Sequence, residues 1–273
     1  MIVTFHKWMP ENLAYVMLGR TVSFEDLFIV DFMPEKIRCS AIAKAESLRL
    51  DNISLTNQRR IDVMEEEGCT ISVSCLNVQS LRKHINDVKK DEPLIESKVL
   101  VFTETWLQNM DECENYQIDG YQSEFANQGF GKGVALFYKG PGKIIKVVAK
   151  KTYQFIMCEV EERYRVVGVY SSKNARIDEL SNDLTDLNLL AKPTIICGDF
   201  NFKGDSDNIL TKSLKRKQFT QLMSRATHLH GNILDHLYVS EELKDLAKTS
   251  IHYSYFSDHD AIMMKQVTKS PLE

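Results

Sequence analysis

The sequence predicts an α/β protein, a four-layer α/β sandwich in which two packed mixed β-sheets are flanked by helices. Two observations carry this reading. From about residue 67 onward, apolar runs of 4–8 residues rich in Val, Ile, Tyr and Phe recur along the chain, with the length and composition of strands. Helical stretches separate only some of them, and many strands with few interposed helices pack as two sheets face to face with the helices outside.

Taken in order, residues 13–31 read as a helix-like stretch that runs into a short apolar strand, Leu27-Phe28-Ile29-Val30. Residues 41–66, rich in Ala, Glu, Arg, Lys and Leu, read as helical. They end in Glu65-Glu66-Glu67-Gly68, a solvated helix end with a glycine stop. A first part, 1–66, is thereby set off from a second, 67–273. In the second part strands are expected at 70–76, 99–103, 133–138, 155–160, 164–170, 194–197, 234–239 and 261–266, and helices at 80–96, 176–191, 206–213 and 215–225. Cys75 and Cys197 fall inside strand-like runs, where cysteine behaves as a small hydrophobe. The glycine-rich segment Gly129-Phe130-Gly131-Lys132-Gly133 lacks the spacing of a phosphate-binding P-loop, having Ala126 and Gly133 where that loop needs Gly and Ser or Thr, so it reads as a hairpin turn.

The bulk properties narrow the class. Of 273 residues, 43% are hydrophobic and 26% charged, ordinary for a globular chain with a sizeable core. The formal net charge of −4 argues against a globally basic nucleic-acid-binding domain. It leaves open an enzyme that recruits a polyanion through a metal and a local basic patch. Six cysteines without Cys-x-x-Cys spacing suggest reduced thiols in an intracellular protein. No basic region followed by an apolar stretch opens the chain, so no secretory signal is expected, and no run reaches 18 apolar residues, so no membrane span is expected.

Polar residues gather at the ends of the expected strands. Asn77 and Gln79 follow the first, Glu104 the second, and Tyr170 closes the fifth. Asp199 and Asn201 follow 194–197, Asp235-His236 opens a later strand, and Asp258-His259 precedes the last. A single carboxylate after a strand is often only a turn former. Their recurrence describes a pocket of hard oxygen ligands with one imidazole, which suits Mg²⁺ or Mn²⁺ better than zinc. Two basic stretches, Lys212 to Lys217 with Lys215 and Arg216, and Lys143 to Lys151, could track a nucleic-acid backbone or be solvated helix faces. His228 and His230 read as loop residues near a substrate.

Here the residues resemble a known family. Leu76-Asn77-Val78-Gln79-Ser80-Leu81, Thr103-Glu104-Thr105-Trp106-Leu107, Gly133-Val134-Ala135-Leu136, Val169-Tyr170, Gly198-Asp199-Phe200-Asn201, Leu234-Asp235-His236 and Ser257-Asp258-His259-Asp260 follow the order of landmarks in the endonuclease/exonuclease/phosphatase superfamily. The Glu-Thr-Trp-Leu and Gly-Asn-Ile-Leu-Asp-His wording is most similar to apurinic-type endonucleases of transposable elements. The resemblance implies a Mg²⁺- or Mn²⁺-dependent phosphodiesterase with DNA as partner. It implies that Glu104 binds the metal beside Asn77, with Asp258 completing or neighbouring the shell. By the same resemblance Asp199 deprotonates the attacking water and Asn201 holds a phosphate oxygen. His259, its tautomer fixed by Asp235, contacts the phosphoryl oxygens, and Tyr170 hydrogen-bonds the phosphate or the leaving oxygen. Lys215, Arg216, Lys217 and His228 are the expected substrate contacts. Gln79 departs from the pattern, since apurinic-type members often carry an acid there; the change points to weaker metal binding or a one-metal arrangement.

Residues 12–38 carry a second resemblance. Ala14-Tyr15-Val16-Met17-Leu18-Gly19-Arg20, Ser23-Phe24-Glu25-Asp26-Leu27 and Asp31-Phe32-Met33-Pro34-Glu35-Lys36-Ile37-Arg38 resemble the last motif of PIF-type superfamily 1 DNA helicases, although Gly19 replaces the usual Ser. With no P-loop upstream, Arg20 alone cannot support ATP hydrolysis. A helicase tail followed by such an endonuclease resembles the arrangement in Helitron-like transposons (helentrons). On that resemblance residues 1–66 are a small helicase-derived α/β fragment, and the chain is a piece of a larger protein, monomeric and nuclear. The same landmarks also fit a phosphatase acting on inositol phosphates, lipids or nucleotides, or a catalytically silent DNA-binding remnant.

Overall fold

The computed structural model describes residues 2–4, 28–30, 70–108, 113–130, 132–203, 206–227 and 233–267. The chain divides into two compact units, Met1–Arg59 and Arg60–Glu273. In the first, β1 (Ile2–Thr4) and β2 (Phe28–Val30) form a parallel pair. The rest of the helicase-like stretch, the helical reading of 41–66 and the boundary at 66/67 lie outside the described residues.

The second unit holds two six-stranded sheets. One has the order β13 (Ala247–His252), β14 (Ala261–Gln266), β3 (Ile71–Asn77), β4 (Val99–Thr103), β6 (Val134–Tyr138), β5 (Gln122–Ala126). The other has the order β11 (Thr220–Gln221), β12 (Asp235–Val239), β10 (Thr194–Asp199), β9 (Tyr164–Ser171), β8 (Tyr153–Val160), β7 (Gly142–Ala149). The two sheets repeat one pattern. Each has one parallel pair, β3–β4 and β9–β10, and every other pairing within them is antiparallel. Helices α1 (Leu81–Val88) and α2 (Glu92–Ile95) follow β3, and α3 (Ile177–Thr185) and α4 (Ile209–Arg216) follow β9 and β10; α5 (Glu241–Lys244) is a single turn after β12.

Alternation of side chains along each strand assigns the layers. Val73, Cys75, Val99, Val101, Val134 and Leu136 of the first sheet meet Ile156, Cys158, Val166, Ile195, Cys197 and Leu237 of the second in one inter-sheet core. The intervening residues Leu100, Phe102, Ala135 and Phe137 pack outward against Leu81, Ile85, Val88 and Leu94. On the other side Phe155, Val167, Val169, Ile196 and Tyr238 pack against Leu180, Leu184, Leu210 and Leu214. The order is therefore helix, sheet, sheet, helix, the four-layer α/β sandwich the sequence predicts. Strands covered on both faces read as largely continuous apolar runs, as β4 and β6 do, and each large apolar side chain so buried stabilises the fold by roughly 2 kcal/mol.

Some element boundaries differ from the sequence expectations. The helix expected at 80–96 is split at Lys89–Asp91, where Asp91 caps α2 and Pro93 lies in its first turn. The helices expected at 206–213 and 215–225 are one helix, α4, begun by an Asn208–Thr211 capping box and followed by the short strand β11. The Lys143–Lys151 stretch is no helix face: most of it is the exposed edge strand β7, with a bulge between Ile144 and Lys146 that breaks its alternation. Cys75, Cys113, Cys158 and Cys197 are buried and form no disulfide, and Cys39 and Cys69 lie outside the described residues. Among the described residues no helix is long and apolar enough to cross a membrane.

Candidate active site

The same alternation that builds the inter-sheet core carries polar groups to its end. Asn77 continues the inward stripe of Val73 and Cys75, Tyr170 that of Val166 and Gly168, Asp199 that of Ile195 and Cys197, and Asp235 that of Leu237 and Val239. Asn77, Tyr170 and Asp199 lie at the C-terminal ends of parallel strands. Asp235, paired with Asp199 across the antiparallel register, opens β12 at the same end. His259 arrives just before β14, which pairs with β3. Polar side chains from both sheets thus close one end of an otherwise apolar layer.

The connections after these strands are held in conformations that most residues avoid. Gln79, Ser80, Glu104, Trp106 and Asn201 all have positive φ, between 45° and 94°. Left-handed backbone at non-glycine residues costs roughly 1–3 kcal/mol each and gathers where a site demands it. Backbone bonds from Val78 to Thr103 (3.0 Å), Ser80 to Glu104 (2.9 Å) and Leu81 to Thr105 (3.0 Å) extend the β3–β4 pairing beyond its regular end and fix Glu104. Gly198, with φ of 155°, brings β10 against β9 so closely that a Cβ there would lie 1.7 Å from the Val169 carbonyl oxygen.

Within this frame the side chains form a connected set. The Asn77 amide donates across the two sheets to Asp199 Oδ2 at 2.9 Å. The Asn201 amide donates to the same oxygen at 3.1 Å and to the Ser171 carbonyl at 3.0 Å, and its backbone N–H donates to Asp199 Oδ1 at 2.9 Å. Both Asn201 amide hydrogens are engaged, so Asn201 here orients Asp199; the phosphate contact implied by the family resemblance would need one of these bonds exchanged. His259 Nδ1 donates to Asp235 Oδ2 at 2.7 Å, and the Thr227 hydroxyl donates to that same oxygen. Nε2 of His259 lies 3.7 Å from Asp258 Oδ1. Glu104 accepts from the Trp106 indole N–H at 3.3 Å and lies against the Asn77 amide.

Electrostatics separate the roles. Burial, then the charge of Asp235, push the Asp199 carboxyl up to about 8, against the relief from His259 and the Asn201 N–H. Burial opposes the imidazolium of His259, but the bond and charge of Asp235 override it and hold His259 up at about 9. Burial also raises Glu104, only partly offset by Asn77 and Trp106, and it raises the Tyr170 hydroxyl, which faces the charges of Glu104 and Asp199. Candidate ligand atoms of Asp199, Asp235 and His259 all lie within 4.8 Å of one another. Because the His259–Asp235 bond already engages two of these groups, the half-buried, desolvated Glu104 with Asn77 is the better-suited cation position. The donor chemistry fits a hard divalent cation: four carboxyls, Glu104, Asp199, Asp235 and Asp258, converge with one imidazole, an excess of negative charge that must be offset before a phosphodiester can enter.

The structure brings together Asn77, Glu104, Tyr170, Asp199, Asn201, Asp235, Asp258 and His259. It does not bring Lys215, Arg216 and Lys217 to them. These end α4, and β11 just beyond pairs Thr220 with Val239, at the end of β12 opposite Asp235. Lys215 instead lines a cavity of about 550 Å³ with Thr211, Phe219 and Tyr238, to which no member of the site contributes. His228 lies outside the described residues. Sequence reasoning missed two supporting groups, Thr227 and Ser257, and read Gln79 only as a departure near the metal. Thr227 binds Asp235. Ser257 donates to the Asn77 carbonyl at 2.7 Å and accepts from the His259 N–H at 3.1 Å. Gln79 accepts, at 3.5 Å, from the N–H of Asp258 and so ties the His259 loop to β3. Ser257 lay within a quoted motif, whereas Thr227 carries no local signal. His236 belongs to the outer layer: it stacks on Phe200 (4.8 Å, 10°), donates from Nε2 to the Phe202 carbonyl and is held neutral by burial, its pKa lowered to about 4.

Comparison with known proteins agrees with this geometry. Residues 75–259 match the model of the Endonuclease/Exonuclease/phosphatase family. No curated protein matches the chain in sequence. Among solved structures it is similar to the 3′ phosphatase NExo from Neisseria bound to product DNA hairpin, at 15% identity and TM-score 0.57, over 72% of this chain and 99% of that one. It is similar to the endonuclease domain of TRAS1, a telomere-specific non-LTR retrotransposon, at 13% identity and TM-score 0.57, over 73% and 99%. An AP endonuclease from Archaeoglobus fulgidus is similar at 14% identity and TM-score 0.55, over 71% and 98%. At such identities the likeness establishes the fold.

Proposed function

The chain belongs to the endonuclease/exonuclease/phosphatase family, and from that premise we propose that it is a divalent-metal-dependent endonuclease that hydrolyses DNA phosphodiesters. The observation that carries the proposal is the pairing of two hydrogen-bonded units at one strand-end surface. One is a desolvated carboxyl, Asp199, oriented by Asn77 and Asn201; the other is an imidazole, His259, oriented by Asp235.

Asp199 takes the proton of the attacking water. A carboxyl raised toward neutrality is a far better base than an ordinary one, and three hydrogen bonds from Asn77 and Asn201 fix its direction. His259, kept protonated by Asp235, presents Nε2–H to the phosphoryl oxygens as charge accumulates on them. Tyr170, whose hydroxyl stays protonated throughout the working range, donates to the phosphate or to the departing oxygen. Glu104, with Asn77 and Asp258 beside it, would hold Mg²⁺ or Mn²⁺, which when bound supplies charge neutralisation at the scissile phosphate.

DNA is the proposed substrate class because residues 12–38 resemble a DNA helicase motif and because the similar solved proteins include a DNA-bound phosphatase and a retrotransposon endonuclease domain. Nicking during transposition, in the nucleus, is the role that this combination supports. The test is incubation of the purified chain with supercoiled plasmid, with and without Mg²⁺, alongside Asp199→Ala. Metal-dependent nicking that the variant lacks supports the proposal. Binding without nicking, or hydrolysis of small phosphoesters alone, refutes it.

A further inference from the structure

Beside Glu104 stands an aromatic pair that the catalytic scheme leaves unused. Phe130 is 75% exposed, and its ring lies on the half-buried Trp106, with centroids 4.2 Å apart and planes at 44°. Trp106 is in turn tied to the site through its indole bond to Glu104. Isolated exposed hydrophobics are ordinary on protein surfaces. Three further observations distinguish this one.

The segment that carries Phe130 is braced. Lys132 N–H donates to the Gly129 carbonyl (3.2 Å), Gly129 N–H to Leu107 (3.0 Å) and Trp106 N–H to Lys132 (2.9 Å), closing the turn onto the strand end that bears Glu104. The Gln128 amide donates to the Ala149 carbonyl (2.7 Å), and Lys132 Nζ to the Lys151 carbonyl (2.9 Å), so the turn is also anchored to the second sheet. The ring is therefore presented by a fixed support, with one face backed and the other in water. Finally, the surrounding rim is basic. Lys132 and Lys151 lie at the same end of the sheets as Tyr170, because Tyr153 pairs with Ser171 there, while the neighbouring Lys150 is paired with Asp183 at 2.7 Å; the two lysines contrast with the acidic interior of the site.

We propose that Phe130, positioned by Trp106, is a stacking platform for an unpaired nucleobase flanking the scissile phosphate, and that the preferred substrate carries an unstacked nucleotide there. The proposal rests on the nuclease reading above and deepens it. A rigid ring with one free face, beside a phosphate-handling site and next to lysines, has the features that single-stranded nucleic acid recognises: base stacking that tolerates any sequence and a cationic track for the backbone. Trp106 acts through Phe130 and is a positioning residue.

The test compares wild type, Phe130→Ala and Phe130→Tyr on two substrates: a single-stranded oligonucleotide containing 2-aminopurine, and bis(p-nitrophenyl) phosphate, which has no base. Turnover is measured with Mg²⁺, and 2-aminopurine fluorescence on binding is measured in EDTA. The expected result is a rise in oligonucleotide KM on the order of 10-fold or more for Phe130→Ala, with kcat and bis(p-nitrophenyl) phosphate hydrolysis unchanged. Quenching is lost in the same variant, and Phe130→Tyr restores both. Cleavage by wild type with a KM indifferent to Phe130→Ala overturns the platform and leaves the nuclease standing. Phe130-dependent quenching without cleavage by wild type supports the platform and overturns the nuclease. Neither cleavage nor quenching overturns both.

Discussion

Gly198→Ala puts the tightest backbone contact of the site to a quantitative test. A methyl group at this position would lie 1.7 Å from the carbonyl oxygen of Val169, 2.7 Å from its carbon and 2.9 Å from its nitrogen. All three are backbone atoms of the neighbouring strand, so no side chain can turn aside to make room. Reaching an ordinary contact of 3.4 Å requires β10 to retreat from β9 by about 1.7 Å, the difference between those two distances. A ladder bond near 2.9 Å would then be broken. Losing two such bonds costs about 2 kcal/mol, and the φ of 155° adds roughly 1–3 kcal/mol for any residue but glycine. The shift also pulls Asp199 from Asn77 and leaves buried polar groups unsatisfied, another 1–3 kcal/mol or so. The total, about 4–8 kcal/mol, is comparable with the whole stability of many domains. Guanidinium unfolding followed by far-UV circular dichroism measures it. Gly168→Ala is the control: its Cβ would meet Val101 Cγ1 at 2.7 Å, a side-chain methyl that can adjust, for roughly 1–3 kcal/mol. A Gly198→Ala protein within about 1 kcal/mol of wild type, or no less stable than Gly168→Ala, would refute the reasoning.

Two further outcomes follow from the buried histidines, with opposite signs. The pKa of His259 is raised in the folded state, so its pairing with Asp235 stabilises below pH 6.5 and is withdrawn as pH rises through about 9. In Asp235→Asn the strongest influence raising His259 is lost, and burial is opposed only by the charges of Asp199 and Asp258; His259 should titrate clearly below 9 by NMR, and the alkaline limb of the activity profile should move to lower pH with it. An unmoved His259 titration would contradict the assignment. The pKa of His236 is lowered to about 4 in the folded state, so the unfolded chain takes up its proton first and stability falls as pH drops from 6.5 toward 4. His236→Phe keeps the stack on Phe200 and should flatten that part of the stability–pH curve in urea titrations; identical slopes for the two proteins would exclude the mechanism.

How much of this was legible in the sequence follows from where each strand sits. In the second unit the eight strands expected were β3, β4, β6, β8, β9, β10, β12 and β14, all interior to their sheets. The four left unread there, β5, β7, β11 and β13, are the four edges of the two six-stranded sheets. Interior strands are covered on both faces and are therefore mostly apolar. Edge strands such as Gln122–Ala126 and Ala247–His252 keep much of their surface in water, so their composition carries little strand signal, and in β7 the bulge at Ile145 removes the remaining periodicity. The site divides along a similar line. Asn77, Glu104, Asp199, Asp235 and His259 could be found because each follows or opens an interior strand, and the apolar run points to its own end. Lys215 to Lys217 lie away from this cluster, and a basic helix end looks the same in sequence at either end of a sheet. Only the pairing of Thr220 with Val239 shows that it is the far one. Charge along a sequence thus marks a surface without saying which surface, whereas a polar residue ending a buried strand is located by the strand itself. The contacts that complete the site, Thr227 on Asp235 and Phe130 on Trp106, join loops to strands or to other loops. No local pattern encodes such contacts; they exist only once both sheets have closed.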